Sequence, residues 1–441
     1  MEQRRKNLTQ LFIPICLETL LYMLSGMVDT LMLSSVNDQA VGAVGTANTY
    51  IGIFIIMFSV ISSGMVAVMT QNIGAGRPGV AYQARQLGLV FNAALGVIMS
   101  LFLSLGAGTI LSGVGVADAL MQPAKTYLQI VGGFCILNAL IPICSSYLRA
   151  FGFSKEPLYA SIIGNVINFC LNAFFLFVLH KGVAGVATAT VISRIINLVI
   201  VVLLGAVLVK AKQHPERESN RAVMGQIIRI GLPSACETAI YNVSMTLVIR
   251  FLNQMDAQGL NVTARSYTMQ ITNFSYCVGA ALAQANAIMT GWHIGAKEYD
   301  ACDRGTRKAA IIGVIVAVIL ETMFALCSGW IMQLFSKDPQ MVSLVGKLLA
   351  IDIVLEMGRV TNLVYGQALK TSGDAVFPVV MGACFMILCS VGGTYLFGIR
   401  LGLLAVGAYI GMAGDECVRA VGMYLRWKSG KWKEKGLVKS R

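Results

Sequence analysis

Several acidic side chains lie inside long apolar stretches of this sequence. Glu18 and Asp29 fall in the first such stretch, and Glu237 falls in a later one. Burying a carboxylate away from water is costly unless it is paired or protonated, so each of these residues is a candidate for binding a proton or a cation. The sequence contains no G-x-S-x-G, P-loop or H-E-x-x-H motif. It therefore favours ion binding over enzymatic catalysis or ATP-driven pumping.

One candidate group combines a carboxylate, two amides and a hydroxyl. Asn168 and Asn172 are one turn apart on one helix face. At 1.5 Å per residue, this pair, Asp29 and Thr190 lie at comparable depth in their apolar stretches. Asp29 would bind a proton if burial favours its neutral form, or a sodium ion together with the other oxygens. Alternatively, Asp29 only hydrogen-bonds the amides and locks the helices together.

The second half of the chain holds another candidate group. Asp352, Glu356 and Arg359 are spaced i, i+4 and i+7 along one helix stripe. Glu237 lies at a depth similar to that of Glu356, so we expect these two to come into contact. The acids would bind a proton, a cation or a cationic substrate, or they form an ion-pair network around Arg359 that only positions helices. Glu18, the counterpart of Glu237 in the first half, is a secondary candidate.

Other polar residues lie inside apolar stretches as well. A stretch too polar to face lipid on all sides is expected to line a cavity with Gln270, Asn273, Tyr276 and Gln284. Asp415 and Glu416 precede Arg419 by about one turn and are expected to neutralise it. The sequence identifies no partner for Glu321 or Arg194.

Membrane-spanning helices must position these side chains. The 441 residues are 56% hydrophobic and only 12% charged, with a mean hydropathy of +0.72, which is far too apolar for one soluble core. Twelve apolar runs of about twenty residues indicate an all-α membrane protein with twelve transmembrane helices. The predicted spans are 11–33, 41–70, 87–112, 125–149, 157–179, 183–209, 227–252, 264–292, 306–331, 341–368, 376–398 and 403–426.

The sequence contains an internal repeat, in which segments of the first half match segments of the second. The segment IPICLETLLYMLS (Ile13–Ser25) matches LPSACETAIYNVS (Leu232–Ser244) at an offset of 219 residues, and LRAFGFSKEP (Leu148–Pro157) matches LKTSGDAVFP (Leu369–Pro378) at 221. Six spans precede the midpoint, so both halves enter the membrane in the same orientation. We predict two pseudo-symmetric six-helix lobes, a parallel repeat around a central cleft. The predicted domains are an N-terminal lobe (1–209), a cytoplasmic linker (210–221), a C-terminal lobe (222–426) and a basic tail (427–441).

The distribution of charge predicts the orientation. The net charge is +13, and most Lys and Arg residues fall on the side that carries both termini. The opposite side has only Lys125, Lys181, Lys337, Lys347 and Arg400. By the positive-inside rule both termini are cytoplasmic, in a multi-pass protein of the plasma membrane. The basic excess faces anionic lipid, so no nucleic-acid partner is expected.

Taken together, these motifs resemble the multidrug and toxic compound extrusion (MATE) transporters over nearly the whole chain. The resemblance rests on Pro14 with Val28-Asp29-Thr30, on Gln71-Asn72-Ile73-Gly74-Ala75-Gly76, on Leu148-Arg149-Ala150-Phe151-Gly152, on Asn168-x-x-x-Asn172, on Glu356-Met357-Gly358-Arg359-Val360-Thr361-Asn362 and on Arg426-Trp427-x-x-Gly430-Lys431-Trp432. It implies a twelve-helix antiporter that exports amphiphilic, often cationic compounds in exchange for protons or sodium ions. By position, Asp29, Asn168, Asn172 and Thr190 fall where members place an N-lobe cation site.

The chain departs from the family pattern at Asn172, where many members have Asp, so its first-half site has one carboxylate fewer. The expected partners are a small organic cation and the lipid bilayer. We expect a monomer with no metal site and no cofactor other than the coupling ion. A flippase of related fold for a lipid-linked oligosaccharide or other lipid is the alternative, although the intramembrane acids do not suit an anionic headgroup. The second-to-third loop lacks the basic motif of sugar-type major facilitators, and no repeated filter sequence indicates a channel.

Overall fold

The structure is a computed structural model that describes residues 6–34, 38–113, 116, 118–210, 214–256, 259–333 and 335–438. Within these ranges all regular secondary structure is helical. The chain divides into two compact units, 1–231 and 232–441. The boundary lies inside a helix that follows the predicted linker, and residues 211–213 of that linker are outside the described ranges.

The described part of the first unit contains seven complete α-helices. They are α1 (Leu8–Ser34), α2 (Asp38–Gly74), α3 (Pro78–Gly113), α4 (Asp118–Tyr127), α5 (Ile136–Ala150), α6 (Lys155–Ala173) and α7 (Gly182–Leu208). A π-helical turn (Leu128–Gly132) extends α4, and another (Phe174–Val178) extends α6. The next helix, α8 (Asn220–Met255), begins in this unit. Four of the predicted spans of the first half each fall on one α-helix, whereas the fourth covers α4, its π-helical turn and α5, and the fifth covers α6 and its π-helical turn.

Small residues let the helices of the first unit pack closely. Ala43 and Ala47 on α2 and Ala107 on α3 are fully buried in one apolar cluster. In lipid, helix association has no hydrophobic driving force and depends on dispersion contacts between helices. Close backbone approach strengthens these contacts. Asn92 on α3 adds a polar link, because its amide lies 3.3 Å from the carbonyl oxygens of Phe58 and Ala139. These contacts hold α3 between α2 and α5.

The fourth predicted span is bent. The axes of Leu120–Gly132 and Ile136–Ala150 differ by 42°. Two consecutive glycines, Gly132 and Gly133, lie at this break. The N–H of Ile136 donates to the Ser100 hydroxyl at 3.1 Å, which satisfies one of the backbone groups freed there.

The second unit continues α8 and adds six α-helices. They are α9 (Leu260–Gly295), α10 (Tyr299–Leu326), α11 (Ser328–Met332), α12 (Pro339–Ser372), α13 (Val376–Phe385) and α14 (Leu404–Lys428). Two π-helical segments, Met386–Val391 and Thr394–Arg400, continue α13. The short α11 completes the ninth predicted span after α10. The remaining predicted spans each fall on a helix.

Helix α12 packs against α9, α10 and α14 at the centre of the second unit. Gly358 allows the close approach to α14, because a Cβ at this position would lie 2.9 Å from the backbone nitrogen of Cys417. A larger residue would push the helices apart. The approach brings Arg359, the next residue, against the acids of α14.

By length and apolarity alone, six described helices qualify as membrane spans, or seven when the bent pair is counted as one span. The count of twelve spans and their arrangement in two lobes stay predictions.

Candidate functional site

Asp29 on α1 lies against the two predicted amides of α6. The Asn172 amide nitrogen donates to Asp29 Oδ1 at 2.6 Å and lies 3.2 Å from Asn168 Oδ1. Asn172 is fully buried, Asn168 is buried and Asp29 is half-buried. The structure therefore brings together three of the four residues expected in this group.

The fourth member, Thr190 on α7, is buried, but its hydroxyl donates to the carbonyl oxygen of Val186 in its own helix at 2.9 Å. One turn along the same helix, Arg194 lies within electrostatic range of Asp29. The spacing of residues in α7 does not predict this neighbour, because it does not indicate which face of α7 meets α1. The group thus contains a cation that was not expected.

Glu18 forms an ion pair within the first unit. The Arg149 guanidinium lies 2.5 Å from Glu18 Oε2, and the two side chains are 10% and 18% exposed, respectively. Arg149 lies in the last turn of α5, at the end of the fourth predicted span. Glu18 is therefore neutralised by a neighbouring helix and is separate from the Asp29 group.

Glu237 forms the corresponding pair within the second unit. Lys370 Nζ lies 2.5 Å from Glu237 Oε2, with both side chains about one-seventh exposed. Among the described residues, Glu237 pairs with the base near the end of α12, and the expected contact of Glu237 with Glu356 stays a prediction. Lys370 is the repeat counterpart of Arg149, as Glu237 is of Glu18. The repeat alignment therefore held the signal for this pair.

Glu356 and Arg359 belong to a larger network between α12 and α14. Arg359 donates to Glu356, and its Nε lies 3.4 Å from Glu416 Oε1. Arg419 is 2.9 Å from Glu416 and donates to both oxygens of Asp415 at 2.9 Å. The expected pairing of Arg419 is present, and Glu416 additionally bridges the two arginines. The network interpretation accounts for most of these charges.

Asp352, the remaining member of the predicted stripe, is buried, and its Oδ2 has no hydrogen bond among the described residues. Glu321 on α10 is fully buried as well, and neither of its carboxylate oxygens has a hydrogen bond in the same ranges. It lies within electrostatic range of Asp352 and Glu356. Within the described ranges no group of three or more His, Cys, Asp or Glu residues is arranged to hold a metal ion.

The four residues predicted to line a cavity lie along α9. Gln270, Asn273 and Tyr276 are exposed in the isolated chain, and Gln284 is half-buried. The Tyr276 ring lies 5.9 Å from the Arg359 guanidinium, a cation–π contact. This polar face of α9 therefore borders the charged network.

Comparison with known proteins identifies the family. The MatE family model matches this chain twice, over residues 14–174 and 233–396. This chain belongs to the MatE family. The two matches begin 219 residues apart, the same offset as the internal repeat. MatE proteins are membrane transporters, so the multi-pass prediction is confirmed at that level, and no catalytic activity is indicated.

Relatives match over almost their full length. An uncharacterized transporter, YisQ of Bacillus subtilis (strain 168), is 33% identical over 431 residues, which cover 96% of this chain and 94% of the relative. A protein of Thermotoga maritima described as probable multidrug resistance protein NorM is 24% identical. The match covers 98% of this chain and 94% of that protein. A crystal structure of MATE in the straight conformation superposes with a TM-score of 0.88 at 19% identity, over 97% of this chain and 96% of the other. The all-helical MATE fold is thereby confirmed.

Proposed function

We propose that this MatE transporter is a secondary active antiporter that exports amphiphilic organic cations across the plasma membrane in exchange for protons or sodium ions. The proposal includes alternating access between two six-helix lobes, with both termini in the cytoplasm. The multidrug-resistance relatives support drug-like substrates. The observation that carries the coupling step is the Asp29 carboxylate held by a buried asparagine of α6.

The geometry around Asp29 favours a proton as the coupling ion. Asn172 presents its N–H₂ group to the carboxylate, whereas a sodium ion requires oxygen ligands. Binding a proton would neutralise Asp29 and weaken the charge-assisted hydrogen bond that it accepts from the Asn172 amide. Helix α1 would then be held less strongly against α6. In this scheme proton binding loosens a contact between helices, which is the local event that alternating access needs.

The charged network of the second unit supports a cationic substrate. Its acids outnumber its arginines, and Tyr276 on the neighbouring helix offers an aromatic face. Acidic and aromatic groups attract organic cations. A flippase for an anionic headgroup would need the opposite balance of charge. Drug export therefore agrees better with these residues than lipid-linked oligosaccharide transport does.

Replacing Asp29 by asparagine tests the coupling residue. The substitution removes the proton-binding carboxylate and keeps the side-chain size, so ethidium efflux from cells lacking their own major exporters should fall to the vector background. Glu434→Gln, an exposed substitution in the Lys431–Glu434 turn, should leave efflux unchanged. The amount of protein in the membrane is measured by immunoblot for each variant. Efflux by Asp29→Asn equal to that of wild type would exclude Asp29 from the mechanism.

A further inference from the structure

Glu321 is a fully buried acid that the coupling scheme above does not use. It lies in α10 near its C-terminal end, is 0% exposed, and neither carboxylate oxygen has a hydrogen bond within the described ranges. An ionised carboxylate in such a place has lost its hydration without forming an ion pair of its own within these ranges. A proton on Glu321 removes this penalty, because the neutral acid is far less costly to bury.

The groups that face Glu321 come from α12 and α9. Asp352, Glu356 and Arg359 approach it from α12, and the Ser275 hydroxyl lies beside it on α9. Asp352 Oδ2 and Glu356 Oε2 are also buried without hydrogen bonds in the described part of the chain. Three buried carboxyl groups with unused acceptor atoms therefore lie within electrostatic range of one another.

Arg359, the base that the described residues place beside this cluster, is already engaged. Arg359 is bound to Glu356 and also lies against Glu416. Its charge cannot neutralise Glu321 and Asp352 in addition. Neighbouring carboxylates repel one another, and this repulsion favours retention of a proton by at least one of them. The surroundings of Glu321 therefore favour its protonated form.

The arrangement suits a proton better than a metal ion. No three acidic, His or Cys residues of the described ranges converge with the geometry of a metal site. A proton needs only one oxygen and a nearby acceptor, and Glu321 with Asp352 or Glu356 supplies both. The Ser275 hydroxyl can accept and donate, so it can relay the proton between α9 and α10.

We propose that Glu321, together with Asp352 and the free oxygen of Glu356, forms a second proton-binding site, located inside the C-terminal unit and distinct from Asp29. Its use in coupling rests on the antiport function proposed above. The site binds one proton as a carboxylic acid and releases it to a neighbouring acceptor. The bond formed and broken is the O–H bond of a carboxyl group, so no redox partner is involved.

Infrared spectroscopy of the purified full-length protein in lipid nanodiscs tests the site without substrate or gradient. At neutral pH the wild type should show the C=O stretch of a protonated carboxyl group, which disappears on alkalinisation. Glu321→Gln should remove the contribution of one carboxyl from this band. Glu434→Gln, the exposed control, should leave the band unchanged. A full-strength band with the same pH dependence in Glu321→Gln would overturn the proposal.

A second variant keeps the test decisive if Glu321→Gln does not yield folded protein. Asp352→Asn removes a neighbouring negative charge, so Glu321 should bind its proton about tenfold more weakly. The remaining carboxyl band should then disappear at a correspondingly lower pH. A band that disappears at the wild-type pH in Asp352→Asn would show that the two acids do not share a site.

Transport measurements separate this proposal from the general function. In proteoliposomes with an imposed pH gradient, Glu321→Gln should slow ethidium transport at least tenfold, whereas Glu434→Gln should match the wild type. Equal transport by wild type and Glu321→Gln would overturn the coupling role of Glu321 and leave antiport intact. If the wild type transports nothing under any gradient, the proposed function fails, and the infrared band alone decides whether Glu321 holds a proton.

Discussion

The ion pair between Glu237 and Lys370 is expected to stabilise the second unit by about 1–3 kcal/mol, measured as a coupling energy. Its charged atoms are 2.5 Å apart, and the side chains are 15% and 14% exposed, respectively. Exposed pairs contribute about 0–1 kcal/mol, and removing one partner of a fully buried pair costs about 3–5 kcal/mol. Partial burial places this pair between those limits.

A double-mutant cycle isolates this energy. Lys370→Met, Glu237→Gln and the double variant are compared with the wild type by reversible unfolding in mixed micelles containing SDS. The stability losses of the two single variants, added together, should exceed the loss of the double variant by the coupling energy. Lys370→Arg is the matched control, because Arg149 occupies the equivalent position in the first unit and pairs with Glu18. This charge-conserving variant should unfold like the wild type.

The duplicated pair allows an internal comparison. The same cycle on Glu18 and Arg149 should give a coupling energy within about 1 kcal/mol of the first, because distances and exposure are alike. A coupling below about 0.5 kcal/mol in either cycle would refute the reasoning, since it would mean that solvent screens the pair as it does on a protein surface.

Two further substitutions test packing and capping. Gly358→Ala should destabilise the second unit by about 1–3 kcal/mol in the same unfolding assay, because its Cβ would meet the α14 backbone at 2.9 Å; Gly414→Ala, which has no atom within 4 Å, should not. Asp256 accepts the N–H of Leu260 at 2.8 Å. Slight burial acts to raise the pKa of Asp256, but its hydrogen bonds to Asn261 and Leu260 outweigh burial and hold that pKa below its usual value. The stability that these hydrogen bonds contribute is fully present above the pKa of Asp256 in the unfolded chain. It is lost as the pH falls through the lower pKa of Asp256 in the folded protein. Asp256→Ala should cost about 1 kcal/mol at neutral pH and flatten the acid limb of a pH series of thermal unfolding; an unchanged limb would contradict this account.

Features that depend on residue spacing within a single helix could be predicted from the sequence. The helices follow apolar length, and the contact of Asp29 with Asn172 follows depth in the bilayer and the one-turn spacing within α6. The contacts of Arg359 with Glu416 and of Arg194 with Asp29 could not be predicted this way. Both depend on how neighbouring helices are rotated, and the sequence of one helix does not fix that rotation.

Lys370 illustrates a different kind of error. The tenth predicted span ends at residue 368 and leaves Lys370 outside it, although Lys370 lies in the last turn of α12 and is largely buried against Glu237. Its alignment with Arg149 in the repeat offered the correct partner, because Glu18 and Glu237 are aligned as well. Glu321 was set aside because its partners are on other helices, and its burial became visible only once α9, α10 and α12 were placed together.

The measurement that tests the central claim most directly is ethidium transport by purified protein in liposomes under one imposed gradient at a time. With a pH gradient and no sodium, the wild type should drive ethidium against its concentration difference, and Asp29→Asn should not. A sodium gradient at equal pH should drive little transport. Equal transport by wild type and Asp29→Asn, or none by the wild type under either gradient, would contradict proton-coupled export through Asp29.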